Sequence, residues 1–180
     1  MNTCFIFCYG SLVNSKSRLG TINRETNGVP VFLTKDTGLI RTWNVNTRCK
    51  CTDHSNHKQN VLSLSKNNNK NTTVNGILIK ITDEELNRLD KRETGYKRIK
   101  LSLKNFKWLD FLDKYKSEHI NIFKNSSHTY VYTYIGKKSN KPTKKNPIRL
   151  RYLSLCMDGF LEYGQEFNEE FIRTVYNSPN

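Results

Sequence analysis

Residues 74–96, VNGILIKITDEELNRLDKRETGY, contain the clearest strand in the chain and lead directly from it into a helix. The first part of the segment is rich in aliphatic side chains, which is typical of a buried strand. Thr82, with Glu85 three positions later, forms a capping box and predicts the start of a helix. Leu86 and Leu89 then lie on one face of that helix. The segment therefore predicts a strand joined to a short amphipathic helix.

Six further segments predict strands, because each is a short apolar or alternating run. They are residues 4–9, 28–33, 39–45, 61–64, 97–103 and 128–136. The tail at 150–176 predicts two helices separated near Gly164, while residues 106–115 are aromatic and have no clear period. Residues 65–73 and 137–147 predict exposed polar and basic loops.

The composition indicates a folded protein with a large positive charge. With 180 residues, we expect 1–180 to form a single domain. It is 36% apolar and has nine each of Tyr and Phe, which excludes disorder throughout. The net charge of +14 comes from Lys and Arg spread along the chain. An excess of Lys and Asn also follows from AT-rich coding, so a nucleic-acid partner is not favoured. A non-catalytic protein that binds a polyanion through the loop at 137–145 remains an alternative.

The cysteines and the hydropathy indicate where the protein resides. Five cysteines are an odd number, and two of them lie in apolar stretches, which favours a reducing compartment. The N-terminal residues lack a basic leader, and no window approaches the ~20 apolar residues of a membrane span. We therefore expect a soluble, cytoplasmic protein without a membrane partner. Nothing in the sequence decides its oligomeric state.

Three separated segments, in this order, resemble the gamma-glutamylcyclotransferase-like family. They are YGSLVNSKSR at 9–18, with RTWN at 41–44 following it; NGIL at 75–78, leading to LDKRETGY at 89–96; and PIRLRYLSLCMDG at 147–159, with GQEF at 164–167 and FIRT at 171–174 after it. A lone YGSL occurs by chance, but three such segments across nearly the whole chain are specific. The first segment is most similar to one branch of this family, in which the Gly-Ser-Leu turn continues into Asn-x-x-Ser-Arg. That branch also has an Arg-x-Trp further along, where this chain has Arg41 and Trp43.

The resemblance implies an α+β fold, a compact mixed β-barrel flanked by α-helices, with no metal or cofactor. It also implies release of pyroglutamate from a small gamma-glutamyl amine or amino acid. The α-amine of such a substrate attacks its own γ-carbonyl, so the protein has to position a tethered nucleophile and move a proton. Glu93 matches the acid/base position of the family. By spacing alone, beside Asp90, Lys91 and Arg92, it is equally a solvated surface charge.

The resemblance further implies a set of substrate-binding residues: Tyr9, Gly10, Ser11, Leu12, Tyr134 and Tyr152. A Gly after a strand lets backbone N–H groups approach a ligand and form an anion-binding nest, although a plain strand-ending turn is the simpler interpretation. For Tyr134 and Tyr152, whose phenols could hydrogen-bond the substrate or Glu93, core packing is about as good an explanation. Arg41 is either a partner for a substrate carboxylate or a surface residue beside Trp43.

One short segment suggests a different function, because it offers four potential zinc ligands: Cys49, Cys51, His54 and His57. Zinc sites generally place pairs of ligands further apart along the chain. We therefore do not expect a metal here, and His119 and His128 add nothing to the cluster.

A third hypothesis keeps the fold and the carboxylate but changes the substrate. Cleavage of a gamma-glutamyl linkage on a protein side chain, or on a modified amine, uses the same chemistry, and a fold alone does not exclude it.

Overall fold

The computed structural model describes residues 3–48, 58–67, 72–108, 110–124, 129–138 and 140–176. The strands in these ranges are β1 Thr3–Cys8, β2 Val29–Leu33, β3 Leu39–Arg48, β4 Lys58–Lys66, β5 Val74–Ile81, β6 Tyr96–Leu101, β7 Phe106–Lys107 and β8 Thr129–Gly136. The α-helices are α1 Ser15–Ile22, α2 Asp83–Arg92, α3 Lys116–Lys124, α4 Leu150–Leu161 and α5 Gln165–Tyr176.

Six strands form one curled mixed sheet in the order β6-β8-β1-β5-β2-β7. β1 pairs in parallel with β8, and the other neighbours are antiparallel. The two central strands are buried on both faces, as Ile6 and Phe7 in β1 and Ile77 and Leu78 in β5 show. This explains why their sequences are rich in aliphatic and aromatic residues rather than strictly alternating.

β3 and β4 form a separate two-stranded ribbon that closes over one edge of the sheet. The Tyr96 hydroxyl donates to the Leu62 carbonyl at 2.7 Å, and the Gly136 amide donates to Ser63 Oγ at 2.6 Å. These bonds tie the ribbon to β6 and β8. The predicted α+β fold, a mixed β-barrel flanked by helices, is confirmed; the barrel is a curled half-barrel sheet with a separate ribbon packed against it.

Helix α2 begins at the predicted capping box and ends at the candidate catalytic residue. Thr82 Oγ1 accepts from the Glu85 amide at 3.2 Å, and the Glu85 carboxylate accepts from the Thr82 amide at 2.8 Å. Leu86 and Leu89 are both buried, as predicted. The helix ends at Arg92, Glu93 is its C-terminal capping residue, and β6 begins at Tyr96. Glu93 therefore lies in a three-residue connection between a capped helix and a strand.

The structure corrects several predicted boundaries. β4 runs from Lys58 to Lys66, so the predicted strand at 61–64 is longer and the first residues of the predicted loop 65–73 belong to it; residues 68–71 lie outside the described chain. β6 ends at Leu101, because Leu103–Asn105 form a short 3-10 turn.

The predicted pair of helices at the end of the chain is confirmed, and Gly164 between them has a φ of 118°. The ambiguous segment 106–115 contains the two-residue strand β7 and a 3-10 helix, Asp110–Tyr115. None of the helices in the described ranges has the length and apolar character needed to cross a bilayer.

Candidate active site

Two adjoining cavities meet at the end of β1. The smaller has a volume of about 40 Å³ and the larger, an open cleft, about 770 Å³. Ser11, Glu93, Tyr96 and Tyr152 line both cavities, so the small cavity forms the inner end of the cleft. All seven site residues predicted from the sequence line the small cavity: Tyr9, Gly10, Ser11, Leu12, Glu93, Tyr134 and Tyr152.

Glu93 is held rigidly between α2 and β6. Its amide donates to the Leu89 carbonyl and its own carbonyl accepts from the Tyr96 amide, each at 2.9 Å. Its side chain is 15% exposed. A solvated surface charge does not fit this burial, and the carboxyl group lies instead at the junction of the two cavities.

Two opposing effects act on the acidity of Glu93. Burial raises the pKa of the carboxyl group above its ordinary value, because the charged form loses hydration. Arg92 opposes this shift, with its Nε 3.2 Å from Glu93 Oε1. Arg92 is itself held by α1 and the turn before it, since it donates to the Ser17 carbonyl at 3.2 Å and to Ser11 Oγ at 3.2 Å. The result is a carboxyl group that binds a proton more readily than an exposed glutamate.

Gly10 is required at its position by the close approach of a tyrosine. A Cβ added to Gly10 would lie 2.5 Å from the Tyr152 hydroxyl, which is closer than Cβ contacts come. The same hydroxyl accepts from the Ser11 amide at 3.4 Å. Tyr152 on α4 therefore packs directly on the turn after β1, and any side chain at position 10 would force the Tyr152 hydroxyl or the turn to move.

The carbonyl groups of this turn all face away from the cavity. The Tyr9 carbonyl accepts from Arg41 Nε at 3.1 Å, the Gly10 carbonyl from the Val13 amide at 2.9 Å, and the Ser11 carbonyl from the Asn14 amide at 3.2 Å. In a planar trans peptide the next N–H points opposite to the carbonyl. The N–H groups of Gly10, Ser11 and Leu12 consequently point away from these hydrogen-bond partners; that of Ser11 donates to the Tyr152 hydroxyl, and all three residues line the small cavity. Successive N–H groups on one side of a turn are the arrangement of an anion-binding nest.

The predicted tyrosines surround the cavity but do not bond to Glu93. The Tyr9 hydroxyl donates to the Tyr134 carbonyl, and the Tyr134 hydroxyl donates to Asp90 Oδ1, both at 2.7 Å. Burial raises the pKa of Tyr9, Tyr134 and Tyr152, so these phenols stay protonated. The Tyr134 hydroxyl is bonded to Asp90, and its contact with a substrate stays a prediction.

Arg41 lies neither at the protein surface nor at the wall of either cavity, the two positions expected from the sequence. It is 1% exposed and lines neither cavity. Its guanidinium bonds to the Tyr9 carbonyl, to Asn75 and to Thr174. Both sequence interpretations, a contact with a substrate carboxylate and a surface arginine beside Trp43, are wrong.

Sequence reasoning missed several residues of the site. Tyr96 lines both cavities and follows Glu93 by three positions, within a segment already singled out. Arg149, Arg151 and Asp158 line the larger cleft. Arg151 and Asp158 are seven positions apart on α4, so helical spacing places them on one face, a signal that was available in the sequence.

The proposed zinc ligands Cys49, Cys51, His54 and His57 lie outside the described residues, as does His128. His119 is buried on α3, where Nε2 bonds to the Pro30 carbonyl at 2.6 Å and the ring stacks on Trp108. His119 therefore has a place in the core, away from the two cavities described above.

Comparison with known proteins identifies the fold. No family model matches the sequence, and no curated protein matches it either. Among solved structures, a yeast gamma-glutamyl cyclotransferase specific to glutathione is 12% identical, with a TM-score of 0.62 and full coverage of both chains. A second gamma-glutamyl cyclotransferase is 14% identical, with a TM-score of 0.59, over 99% of this chain and 91% of that one.

The Bacillus subtilis protein YkqA is 16% identical, with a TM-score of 0.60 over the whole of this chain. The chain spans only 56% of the length of YkqA. The three likenesses show that the chain has the gamma-glutamylcyclotransferase-like fold.

Proposed function

We propose that this protein is an enzyme that releases pyroglutamate from a gamma-glutamyl amine or amino acid. The observation that supports this most directly is the position of Glu93. A buried carboxyl group with a raised pKa lines the same small cavity as the N–H groups of the Gly10 turn. A proton carrier and an anion-binding turn around one cavity are the two parts that this reaction needs. Similar solved structures are gamma-glutamyl cyclotransferases, which agrees with the proposal.

The proposed reaction is an attack of the substrate on itself. The Glu93 carboxylate accepts a proton from the substrate α-ammonium, which frees the nitrogen lone pair. The nitrogen attacks the γ-carbonyl carbon, a C–N bond forms, and the carbonyl oxygen becomes an oxyanion. Glu93 then donates its proton to the departing nitrogen, whose bond to the γ-carbon breaks. The second proton of the former ammonium passes to water as the lactam N–H forms.

The two cavities divide the substrate between them. The γ-glutamyl part has to curl so that its nitrogen reaches its own carbonyl. The inner cavity, at about 40 Å³, takes only part of this group, so the rest lies beside Glu93 at the inner end of the larger cleft. The nest at Gly10 and Ser11 holds the α-carboxylate or the developing oxyanion. The leaving amine then points into the larger cleft, which opens to solvent between Glu93 and α4.

The test is pyroglutamate release by the purified protein from a panel of gamma-glutamyl compounds, including gamma-glutamyl amines, gamma-glutamyl amino acids and glutathione. Glu93→Gln keeps the shape of the side chain and removes the proton carrier, so we expect kcat to fall about 100-fold or more. Glu84→Gln is the matched control, because Glu84 is on the same helix and is 82% exposed.

The mechanism is wrong if the Glu93→Gln protein forms pyroglutamate as fast as the unaltered protein. The proposed function is wrong if no compound in the panel yields pyroglutamate with the unaltered protein.

A further inference from the structure

Arg41 is a buried cation whose hydrogen-bond partners are all uncharged. Its Nε donates to the Tyr9 carbonyl at 3.1 Å, its Nη1 to Asn75 Oδ1 at 3.0 Å and to Thr174 Oγ1, and its Nη2 to the Asn75 carbonyl. The guanidinium also lies 5.0 Å from the ring centroid of Phe160 and 4.9 Å from that of Phe171. Within the described ranges, no carboxylate forms an ion pair with it.

Burying a charge without a counter-charge is costly, and hydrogen bonds from a neutral side chain satisfy the same acceptors at a lower cost. Burial lowers the pKa of Arg41 to about 9, which still leaves the guanidinium charged at neutral pH. The hydrogen bonds and the two aromatic rings hold the guanidinium in place, and its charge is not paired directly with a carboxylate in the described ranges. That charge is therefore available to act on a nearby anion.

The contact with Tyr9 connects this charge to the candidate active site. Arg41 Nε bonds to the carbonyl of the Tyr9–Gly10 peptide, and the N–H of that peptide points the opposite way, toward the small cavity. An anion held by this N–H would lie roughly 8 Å from the guanidinium, from standard peptide and hydrogen-bond lengths. At that distance a unit charge in a partly buried site changes the affinity for an anion by about tenfold.

We propose that Arg41 is a positioning residue of the anion-binding turn: it fixes the Tyr9–Gly10 peptide from behind and provides the positive potential that makes this turn prefer a carboxylate over a neutral group. The inference rests on the proposed function, because it takes the bound anion to be the α-carboxylate of the γ-glutamyl group. Arg41 itself does not touch the substrate. Glu170 acts on the guanidinium from a distance without forming an ion pair with it, and the carboxylate of the ligand would add a second negative charge.

The test compares two probes that differ only in charge at the relevant group, pyroglutamate and its neutral amide, 5-oxoprolinamide. Dissociation constants for both are measured by titration calorimetry. The proteins are the unaltered one, Arg41→Met, which keeps the apolar stem between the two rings, and Arg41→Gln, which keeps a donor. Thr174→Val is the matched control, because it removes one partner of Arg41 from the same buried network and leaves the charge in place.

We expect the unaltered protein to bind pyroglutamate about tenfold more tightly than the amide. Arg41→Met and Arg41→Gln should lose most of that preference, while Thr174→Val should keep it. An equal loss of affinity for both probes in the Arg41 variants would show a purely structural role and overturn the inference. The inference is also overturned if the Arg41 variants keep the full preference for pyroglutamate over the amide, or if the unaltered protein shows no such preference. Neither result contradicts the proposed function. Binding of neither probe to the unaltered protein overturns the inference, while pyroglutamate release from the substrate panel decides the proposed function separately.

If circular dichroism shows that neither neutral variant folds, Arg41→Lys decides the question. Lysine keeps the positive charge and loses the forked geometry, so we expect both affinities to fall while their ratio remains about tenfold. A ratio near one in the folded Arg41→Lys protein would overturn the inference.

Discussion

The Tyr152 hydroxyl occupies the space in which a side chain at Gly10 would begin, since a Cβ there would lie 2.5 Å from it. The next atom of Tyr152, Cζ, would be 3.7 Å away, which is an ordinary contact. Removal of one oxygen atom therefore makes room for one methyl group. The two positions are 142 residues apart in the sequence, yet each determines what the other tolerates.

We predict a strong coupling between these two positions. Gly10→Ala should displace the turn or Tyr152 and lower kcat/KM by on the order of 100-fold, because small displacements of positioning groups are costly. In the Gly10→Ala/Tyr152→Phe double variant the added methyl group fits, so the combined loss should be smaller than the sum of the two single effects. Pyroglutamate release by all four proteins gives the coupling energy. Simple additivity would contradict the packing described here.

The pH profile should show the raised pKa of Glu93. Because the proposed base is the carboxylate, kcat/KM should fall as the pH is lowered through a pKa above the ordinary value for glutamate, about 4.3. Arg92 opposes the effect of burial, so Arg92→Gln should move this acidic limb to higher pH. Arg92→Lys retains the charge and is the matched control. A limb that stays in place in Arg92→Gln would show that Glu93 does not set the profile.

His119 should make the protein less stable under mildly acidic conditions. Burial lowers the pKa of its imidazole, and the hydrogen bond to Pro30 and the nearby Glu118 only partly oppose this. A lowered pKa means that the unfolded chain binds the proton more readily. The stabilising contribution is therefore complete above about pH 6.5 and is lost as the pH falls through the folded-state pKa.

Urea unfolding between pH 5 and pH 8 measures this effect. His119→Gln is the appropriate variant, because its side-chain amide retains a donor for the Pro30 carbonyl but does not titrate. As the pH falls from 8 to 5, the free energy of unfolding of the unaltered protein should decrease relative to that of the His119→Gln protein. A difference that is constant over this range would mean that His119 does not titrate as described.

The cap of α2 should contribute to stability more than to catalysis. Thr82→Ala removes the oxygen that accepts from the Glu85 amide, and we expect a loss of about 1 kcal/mol in the free energy of unfolding. Thr82→Ser retains the acceptor and should lose little. Because Glu93 lies at the opposite end of the helix, kcat should stay within about twofold. A large fall in kcat would indicate that fraying at residue 82 reaches Glu93.

The sequence indicated much of the fold and the inner part of the site because both depend on local patterns. Thr82 and Glu85 fix the start of α2 within one turn, and Gly10 follows an apolar run. The site residues were predicted through a family resemblance rather than through spacing. For Glu93, neighbouring Lys91 and Arg92 gave no indication that its side chain would be buried.

The remaining features depend on contacts between distant segments, which a single sequence does not reveal. Arg41 is buried only because β3, β5 and α5 meet around it. Arg149 and Arg151 line the larger cleft only because α4 lies across from Glu93. Tyr134 is on strand β8 and its partner, Asp90, is on helix α2, so no periodicity relates the two.

The parallel pairing of β1 with β8 has a consequence for how the protein is made. Tyr9 contacts Tyr134, and the turn after it contacts Tyr152, so β1 is synthesised well before the strand and the helix that it contacts. Contacts of such high sequence separation are associated with slow folding. A nascent chain that ends before α4 has Glu93 but not the residue that packs on Gly10, so the candidate catalytic centre is not assembled until α4 has been synthesised.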